Sequence, residues 1–533
     1  MKLTYDTLHD PAWTAKGYAL PTYDPRAMRA ATLAHPTWLH IGAGNIFRAF
    51  PAALQQRLLN EGLANTGIVV AESFDPELVA RAYHAYDNLS LLVTLCTDGA
   101  MRKEVIASVA EAVTMQDADY DRLRGWFAAP SLQMVSFTIT EKGYALRDGQ
   151  GALLPDVARE LADGPAAPRT AMGRVTALLL HRFTQGATPL AMVSMDNCSH
   201  NGDKLKDAVL TIAQAWTDAG FAPAGFVPYL QTSVSFPWTM IDKITPRPDA
   251  RVVAALEADG FEDTQLILTE KRTYSAPFVN AEQTEYLVVE DSFPNGRPPL
   301  EKAGVYFADR ATVDKVERMK VCTCLNPLHT ALAVLGCLLG YETIYEEMRD
   351  PDLRRLAERI GADEGMPVVT HPGILAPTDF LREVLDVRLP NPFLPDAPQR
   401  IATDTSQKLP IRFGETIKAY AADTALDVQS LRCIPFALAA WLRYLLATDD
   451  QGAPMACSPD PLLADCQAAL AGLTLGERDT ARIAAILRPL LADARLWGVD
   501  LCALGLADRV TADVTAMLAG PGAVRAALHA VVA

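Results

Sequence analysis

The first half of the chain alternates short apolar runs with segments of helical spacing, and this alternation limits the possible folds more than any other feature. Residues 38–41 (Trp-Leu-His-Ile) form an apolar run, and residues 45–59 place large apolar side chains at helical spacing. Further strand-like runs occupy residues 67–71, 134–140 and 190–194. Strands that alternate with helices are typical of a mostly parallel sheet covered by helices. We therefore predict an α/β fold for this half.

The second half of the chain has a different character. A Pro/Gly-rich segment at residues 293–299 (Phe-Pro-Asn-Gly-Arg-Pro-Pro) is typical of a linker between domains. Beyond it strand-like runs are scarce, and Ala/Leu-rich patterns of helical spacing dominate, as at residues 436–446 and 510–518. We predict two domains, an α/β domain at residues 1–295 and a mainly α-helical domain at residues 296–533.

A glycine pair follows the first predicted strand. Gly42 and Gly44 lie where a dinucleotide-binding turn has its glycines, although position 47 holds Phe in place of a third glycine. Glu72 follows the second strand-like run, and Asp75 comes shortly after it. A carboxylate at this strand end accepts hydrogen bonds from the adenosine ribose and repels the 2′-phosphate of NADP. We predict NAD as the cofactor, while a helix-capping or solvated position for Glu72 and an N-capping role for Asp75 stay open.

Composition and charge exclude several classes of function. The chain has 533 residues, with 48 Lys and Arg against 64 Asp and Glu, which gives a formal net charge of −16. Such an acidic chain lacks the broad positive field that binding to nucleic acids or anionic membranes usually needs, so we predict neither partner. The N-terminus carries Asp6 and Asp10 and no apolar core, so it does not predict a secretory signal. The longest strongly apolar run, residues 331–340, is about half the length of a membrane span.

The nine cysteines indicate a reducing compartment. Their odd number and scattered positions predict free thiols in a cytoplasmic protein rather than a disulfide framework. Cys322 and Cys324 are separated by one residue, and no second Cys or His pair follows at the spacing of a zinc site. We therefore predict no metal site.

Residues 317–329 (Glu-Arg-Met-Lys-Val-Cys-Thr-Cys-Leu-Asn-Pro-Leu-His) form the most informative stretch beyond the linker. Asn326 followed by proline predicts a helix that starts with Asn326 as its N-cap, places His329 one turn on and ends near Gly340. A solvated lysine, a capping amide and a satisfied histidine are ordinary interpretations of each residue alone. Together they favour a substrate site at the predicted domain seam, with residues 194–197 (Ser-Met-Asp-Asn) at a strand's carboxyl end as its second part.

Several motifs extend this pattern along most of the chain. They lie at residues 42–48 (Gly-Ala-Gly-Asn-Ile-Phe-Arg), 138–144 (Thr-Ile-Thr-Glu-Lys-Gly-Tyr), 194–197 with Asn201 and Gly202, 240–246 (Met-Ile-Asp-Lys-Ile-Thr-Pro), 317–329 and 400–408 (Arg-Ile-Ala-Thr-Asp-Thr-Ser-Gln-Lys). In this order they resemble the polyol-specific long-chain dehydrogenases, a family that includes mannitol 2-dehydrogenase and the fructuronate and tagaturonate reductases. The resemblance implies an N-terminal Rossmann-type domain, a mainly α-helical C-terminal domain, substrate between them and metal-independent activity.

The resemblance also implies roles for individual residues. Lys320 matches the family's catalytic lysine, and Asn197 and Asn326 match the amides that hold the reacting oxygen. His329 matches a substrate-binding histidine, and Glu317 matches a carboxylate that transfers protons to solvent. Further motif positions on the substrate side are Asp242, Arg400 and Lys408, and further positions on the cofactor side are Asn45, Phe47, Arg48 and Glu141.

One motif departs from the family pattern. Five residues separate Lys320 from Asn326, where the mannitol dehydrogenase pattern has four, and Pro327 follows the amide directly. We therefore expect the helix to be wound or broken differently between these two residues.

These observations predict an enzyme that transfers hydride between NADH and a sugar ketone, with Lys320 as general acid and base. We favour the reduction of D-fructuronate to D-mannonate in hexuronate catabolism, because the stretch around Asn326 looks like bacterial members with that activity and Arg412 adds a cation for a carboxylate. Dehydrogenation of neutral polyols such as mannitol or arabinitol stays open, and so does an NAD-binding sensor without catalysis. We expect a monomer or a small homo-oligomer.

Overall fold

The structure is a computed structural model that describes residues 1–533, apart from the side chain of Asp117. It contains two compact units, unit 1 (Met1–Cys96 and Ala100–Asp314) and unit 2 (Thr97–Gly99 and Lys315–Ala533). The predicted boundary after residue 295 thus lies inside unit 1. Residues 296–314 belong to unit 1 because the strand Tyr306–Ala308 pairs with the strand Tyr286–Glu290 of the same unit.

Unit 1 is built on a six-stranded parallel sheet. Its strands are β1 (Trp38–Ile41), β2 (Ile68–Glu72), β3 (Val109–Thr114), β4 (Met134–Phe137), β5 (Leu190–Ser194) and β6 (Val234–Ser235). They lie in the order β3-β2-β1-β4-β5-β6, and every neighbouring pair is parallel. This is the strand order of the dinucleotide-binding Rossmann fold, so the predicted fold class is confirmed for this unit.

Both faces of this sheet are buried. Alternate side chains of a strand point to opposite faces, so Trp38 and Ile68 join one apolar core while Leu39 and Val69 join the other. The α-helices of unit 1 are Ala12–Ala15, Pro25–Ala34, Asn45–Ala49, Pro51–Asn60, Asp117–Ala128, Pro155–Asp163, Ala171–Thr184, Asn201–Asp218, Phe226–Thr232 and Ala250–Ala258. The helix predicted at residues 45–59 is therefore two helices, because the backbone breaks at Phe50 (φ −129°, ψ −71°).

Smaller sheets complete unit 1. One has four strands, in the order Tyr18–Ala19, Met101–Ile106, Ser90–Leu95 and Phe278–Glu282. Another has three, in the order Thr239–Asp242, Tyr286–Glu290 and Tyr306–Ala308, and a two-stranded hairpin pairs Ile267–Leu268 with Tyr274–Ser275. The sequence pattern did not predict these sheets. Some of their pairings are local hairpins, such as Ser90–Leu95 with Met101–Ile106, and others join distant segments, such as Ser90–Leu95 with Phe278–Glu282.

Unit 2 is helical, as predicted, and its fully described residues 315–533 contain no named strand. Its α-helices are Asn326–Leu339, Ile344–Glu347, Pro351–Glu358, Pro377–Glu383, Pro398–Ile401, Thr405–Leu409, Glu415–Ala422, Cys433–Tyr444, Leu463–Ala469, Thr480–Leu491, Ala494–Trp497, Ala507–Met517 and Ala523–Val532, and the helix Arg310–Met319 leads into it from unit 1. Four wider π-helical turns interrupt the α-helical path, at Lys320–Cys324, Arg359–Gly365, Val384–Arg388 and Pro410–Gly414.

The helical stretch Arg310–Leu339 is long and apolar enough to cross a membrane by length and composition alone, although its longest strongly apolar run is short. Of its most apolar 18-residue window, 78% is buried inside the protein, as in the core helix of a globular unit. All nine cysteines carry free thiols, as predicted.

Candidate active site

The glycine loop after β1 has the geometry of a nucleotide-binding turn. Gly42 has φ +111°, and a Cβ there would lie 2.3 Å from the carbonyl oxygen of Thr138. Gly44 has an ordinary φ of −77° and open space around the position of a Cβ. Gly42 therefore allows the sharp turn, and Gly44 leaves the backbone accessible to a pyrophosphate at the start of the helix Asn45–Ala49.

Glu72 fastens this loop to the end of β2. Its Oε2 accepts a hydrogen bond from Ala43 N at 2.7 Å, and its Oε1 accepts bonds from Phe74 N at 2.7 Å and Asp75 N at 2.9 Å. Asp75 is also buried, and its Oδ2 accepts the hydroxyl of Thr269 at 2.5 Å. Both carboxylates hold the loops of the predicted cofactor site, and their contact with the ribose stays a prediction.

The other predicted cofactor residues of this helix are enclosed by protein. Phe47 is buried and stacks on His40 with 4.3 Å between ring centroids. The Arg48 guanidinium donates to Ala276 O at 2.7 Å, Asn45 Oδ1 at 2.7 Å and Ser275 Oγ at 2.8 Å. Because the side chains of Phe47 and Arg48 have almost no solvent exposure, a cofactor would reach these residues only through their backbone.

A hydrogen-bonded network joins the carboxyl ends of β4 and β5. The buried Asp196 accepts bonds from Ile139 N at 3.1 Å and Thr140 N at 2.8 Å. Tyr144 donates its hydroxyl to Asp196 Oδ2 at 2.5 Å and lies 2.8 Å from Ser194 Oγ. Burial raises the pKa of Asp196, against the lowering effect of these hydrogen bonds. Sequence reasoning gave Asp196 and Tyr144 no role, although both lie in the quoted motifs.

The remaining predicted residues of unit 1 lie around this network. Asn197 directly follows Asp196 and is exposed at the carboxyl end of β5. Asn201 is buried and donates to Thr239 Oγ1 at 2.8 Å, which explains its place in the motif as structural. Glu141 is exposed and pairs with Lys204 at 2.9 Å. Asp242 ends the strand Thr239–Asp242 and is buried.

In unit 2, Lys320 is buried and begins the π-helical turn Lys320–Cys324. The helical path is thus wound more widely between Lys320 and Asn326, and whether this differs from the family pattern stays a prediction. The predicted N-cap is wrong by one residue, because Leu325 takes the non-helical conformation and Asn326 is the first residue of the helix Asn326–Leu339. Gly340 ends that helix in the left-handed conformation, as predicted. Glu317 is half-buried one turn before Lys320.

His329 belongs to a charged cluster of unit 2. Its Nε2 lies 3.5 Å from Asp396 Oδ2, and the Arg400 guanidinium donates to Asp396 Oδ1. Burial lowers the pKa of His329, and the charges of Arg388 and Arg412 lower it further against the opposing effect of Asp396. Burial alone would raise the pKa of Asp396, but the facing His329 and the two arginines Arg400 and Arg388 bring it below its usual range. His329 is therefore neutral at pH 7.

Two further cations lie in the same unit. Lys408 Nζ donates to Ile401 O at 2.9 Å and to Thr403 O, and burial with the charge of Arg412 lowers the pKa of Lys408 to about 8. Arg412 donates to Thr330 Oγ1 at 2.6 Å, on the first turn after Asn326. Unit 2 thus brings together the predicted residues Asn326, His329, Arg400 and Lys408 with Asp396, Arg388 and Arg412.

Among the described side chains, no group of three or more His, Cys, Asp or Glu residues has the arrangement of a metal site. A Rossmann-type sheet with an accessible glycine loop, followed by a helical unit that holds a buried lysine, an amide and a neutral imidazole, defines the class of two-domain nucleotide-dependent dehydrogenases.

Comparison with known proteins identifies the family within this class. Models of the mannitol dehydrogenase Rossmann domain and of the mannitol dehydrogenase C-terminal domain match residues 36–302 and 312–518. The chain therefore belongs to the mannitol dehydrogenase family, and its prediction as an oxidoreductase of this family is confirmed.

The relatives cover most or all of the chain. A D-mannonate oxidoreductase of Thermotoga maritima is 48% identical over 537 residues, which is 100% of this chain and 99% of the relative. A D-mannonate oxidoreductase of Escherichia coli is 31% identical over 82% of this chain and 87% of its own. The solved Pseudomonas fluorescens mannitol 2-dehydrogenase, a ternary complex with NAD and D-mannitol, is 28% identical with a TM-score of 0.69 and covers 99% of both chains.

Proposed function

We propose that this protein is an NAD-dependent oxidoreductase that reduces D-fructuronate to D-mannonate, a step of hexuronate catabolism in the cytoplasm. The observation that carries the proposal is the 48% identity to a D-mannonate oxidoreductase over the full length of both chains. The accessible backbone at Gly44 supports the cofactor, since it is the feature that a dinucleotide pyrophosphate needs. We expect a monomer or a small homo-oligomer.

Lys320 is the proposed acid and base. When bound, NADH supplies the hydride for the ketone carbon. Lys320 as an ammonium then protonates the developing alkoxide, and as an amine it removes the hydroxyl proton in the reverse direction. The burial of Lys320 keeps water from competing for this proton, and the half-buried Glu317 one turn away is suited to pass it to solvent.

Asn326 and His329 are the proposed holders of the reacting oxygen and the substrate hydroxyls. Asn326 begins a helix whose next turn carries Thr330, and its amide is half-exposed beside this turn. A neutral imidazole such as His329 can both donate and accept hydrogen bonds, as sugar hydroxyls require. Because Asn197 lies in a family motif, we propose that it holds the reacting oxygen together with Asn326. On the same ground we propose that three further motif residues contact the substrate: Asp242, Arg400 and Lys408.

The charge of unit 2 favours a sugar acid over a neutral sugar. Arg388 and Arg400 act on the carboxylate of Asp396, and Lys408 lies near Arg400 and Arg412 as well as near Asp404 and Asp460. Arg412 itself pairs with no carboxylate among the described side chains. A hexuronate carboxylate could pair with the Arg412 guanidinium, whereas a neutral polyol could not. The neutral alternative has its own support, because the solved mannitol 2-dehydrogenase relative binds D-mannitol and matches this chain along its whole length.

Variants of two lysines test the catalytic step. We expect Lys320→Ala to lower kcat for D-fructuronate by about 10²–10⁴-fold while NADH binding stays unchanged, because a general acid contributes in that range. Lys315→Ala is the matched control, since Lys315 is exposed on the preceding helix and its loss should change neither quantity. Steady-state rates and a fluorescence titration with NADH measure both. An unchanged kcat in Lys320→Ala would contradict the role of Lys320.

The substrate is tested by NADH oxidation with D-fructuronate and D-fructose side by side, each repeated with NADPH. We expect D-fructuronate and NADH to be preferred. A preference for D-fructose would show a polyol dehydrogenase instead.

A further inference from the structure

Arg412 is a half-buried cation next to the helix that carries Asn326 and His329. It lies in the π-helical turn Pro410–Gly414, and its Nη1 donates to Thr330 Oγ1 at 2.6 Å. Thr330 in turn donates its hydroxyl to Asn326 O at 2.9 Å. The guanidinium is therefore tied to the first turn of the helix that carries Asn326 and His329.

The neighbouring cations have protein partners for their charge. Arg400 pairs with Asp396, and Lys408 donates to two backbone carbonyls. No carboxylate among the described side chains pairs with Arg412, and burial alone, without an opposing acid, lowers its pKa to about 10. The half-buried guanidinium has five donors, and the one protein acceptor it contacts is the hydroxyl of Thr330.

Other buried arginines of this chain show what a purely structural role requires. Arg182 donates to five backbone carbonyls, those of Thr188, Phe127, Ala129, Leu132 and Pro189. Arg443 is satisfied in a similar way by carbonyls that include those of Thr448 and Asp449. Arg412 lacks this set of acceptors, so its remaining donors are free to bind an acceptor from outside the protein.

We infer that Arg412 binds the carboxylate of the substrate and makes the enzyme selective for sugar acids. A guanidinium presents two parallel N–H donors, and a carboxylate presents two oxygens in the same plane. Four residues of helix, a rise of ~6 Å, separate Asn326 from Thr330, and the four C–C bonds between the ketone carbon and the carboxylate of D-fructuronate span a comparable length. The inference rests on the proposed function and names the residue that determines its substrate class.

The test compares substrates that differ in charge. We would measure kcat/KM with NADH for D-fructuronate, its uncharged methyl ester and D-fructose in the wild-type protein, Arg412→Gln and Arg412→Lys. Arg495→Gln is the matched control, because it removes one exposed cation of unit 2 that pairs with Asp493. NADH binding and the thermal midpoint serve as measures of folding.

We expect Arg412→Gln to lower kcat/KM for D-fructuronate about 100-fold, mainly through KM, and to change the rates with the ester and D-fructose less than threefold. Arg412→Lys keeps the charge but loses the planar pair of donors, so an intermediate loss of about tenfold on the acid alone is expected. Arg495→Gln should leave all three rates unchanged.

The outcomes separate this inference from the proposed function. A wild-type protein that prefers D-fructose refutes the proposed function. A wild-type protein that prefers D-fructuronate, together with an Arg412→Gln that keeps this preference or loses acid and ester equally, overturns the role of Arg412 alone. If Arg412→Gln does not fold, Arg412→Lys decides, because equal losses on acid and ester in that variant also overturn the inference.

Discussion

At the scale of single residues, Gly42 and Gly44 are two positions apart but meet different surroundings. We expect Gly42→Ala to destabilise unit 1, because the residue has φ +111° and its Cβ would lie 2.3 Å from Thr138 O. Gly44→Ala should leave stability nearly unchanged, because its φ is −77° and no atom lies near its Cβ. The same variant should weaken NADH binding at least tenfold, because the methyl group occupies the space that a pyrophosphate needs.

Thermal unfolding and a fluorescence titration with NADH measure the two effects on this pair. Equal losses of stability in both variants would show that the glycine loop is only a structural turn. An unchanged NADH affinity in Gly44→Ala would place the pyrophosphate elsewhere.

At the scale of elements, sequence reasoning succeeded where the signal is local. The apolar runs predicted β1, β4 and β5 in their places, and the glycine pair predicted the loop after β1. It failed where tertiary contacts decide the conformation. Residues 45–59 show a continuous helical pattern, yet the chain breaks at Phe50, and the N-cap of the helix Asn326–Leu339 is Leu325 rather than the better capping residue beside it.

The site was predictable in part for the same reason. A one-residue change in spacing indicated altered winding between Lys320 and Asn326, but periodicity alone does not distinguish a π-helical turn from a break. Asp396 and Arg388 approach His329 from distant segments, so no local pattern could assign them to the cluster.

The network at the ends of β4 and β5 gives a prediction at this scale. Tyr144→Phe removes the hydroxyl that donates to Asp196. The Asp196 carboxylate is then less fixed in position, and its hydrogen bonds from Ile139 N and Thr140 N weaken. The hydrogen bond to Asp196 stabilises a strained backbone, because Thr140 has φ +63° and ψ 159°, a conformation that a β-branched residue rarely adopts. We expect a loss of about 2 kcal/mol in the free energy of unfolding and about tenfold in kcat/KM, since Asn197 directly follows Asp196.

Tyr229→Phe is the matched control for this variant. Tyr229 is buried in the same unit and donates one hydroxyl hydrogen bond, to Thr188 O at 2.8 Å. It should lose about 1 kcal/mol of stability and no activity. Denaturant unfolding and steady-state rates compare the two variants, and equal kinetic effects would contradict a positioning role for Tyr144.

At the scale of the whole molecule, charge is distributed unevenly. The chain carries a formal net charge of −16, yet Arg388 and Arg400 act on Asp396 in unit 2, and Lys408 lies near Arg400 and Arg412. A locally positive site in an acidic protein selects an anionic ligand by short-range contacts, because the long-range field of the protein opposes it. The proposed sugar-acid substrate is consistent with both parts of this distribution.

Glu347 gives the stability of the protein a dependence on pH. It is buried against Gly336, and neither carboxyl oxygen has a hydrogen-bond partner among the described residues. Burial raises the pKa of Glu347 well above its usual value, and the nearby Asp350 and Glu346 add to this effect. The thiol of Cys337, which faces Glu347, is neutral over the range considered, because burial raises its pKa to about 12.

Because the pKa of Glu347 is higher in the folded state than in the unfolded state, its contribution to stability is fully present below about pH 4.3 and declines as the pH rises toward the folded pKa. We expect the thermal midpoint of Glu347→Gln to fall less between pH 5 and pH 8 than that of the wild-type protein, because the amide does not ionise. Glu342→Gln, at an exposed position five residues earlier, should follow the wild-type curve. Scanning calorimetry across this range measures all three, and parallel curves for Glu347→Gln and the wild-type protein would show that Glu347 is already ionised in the folded state.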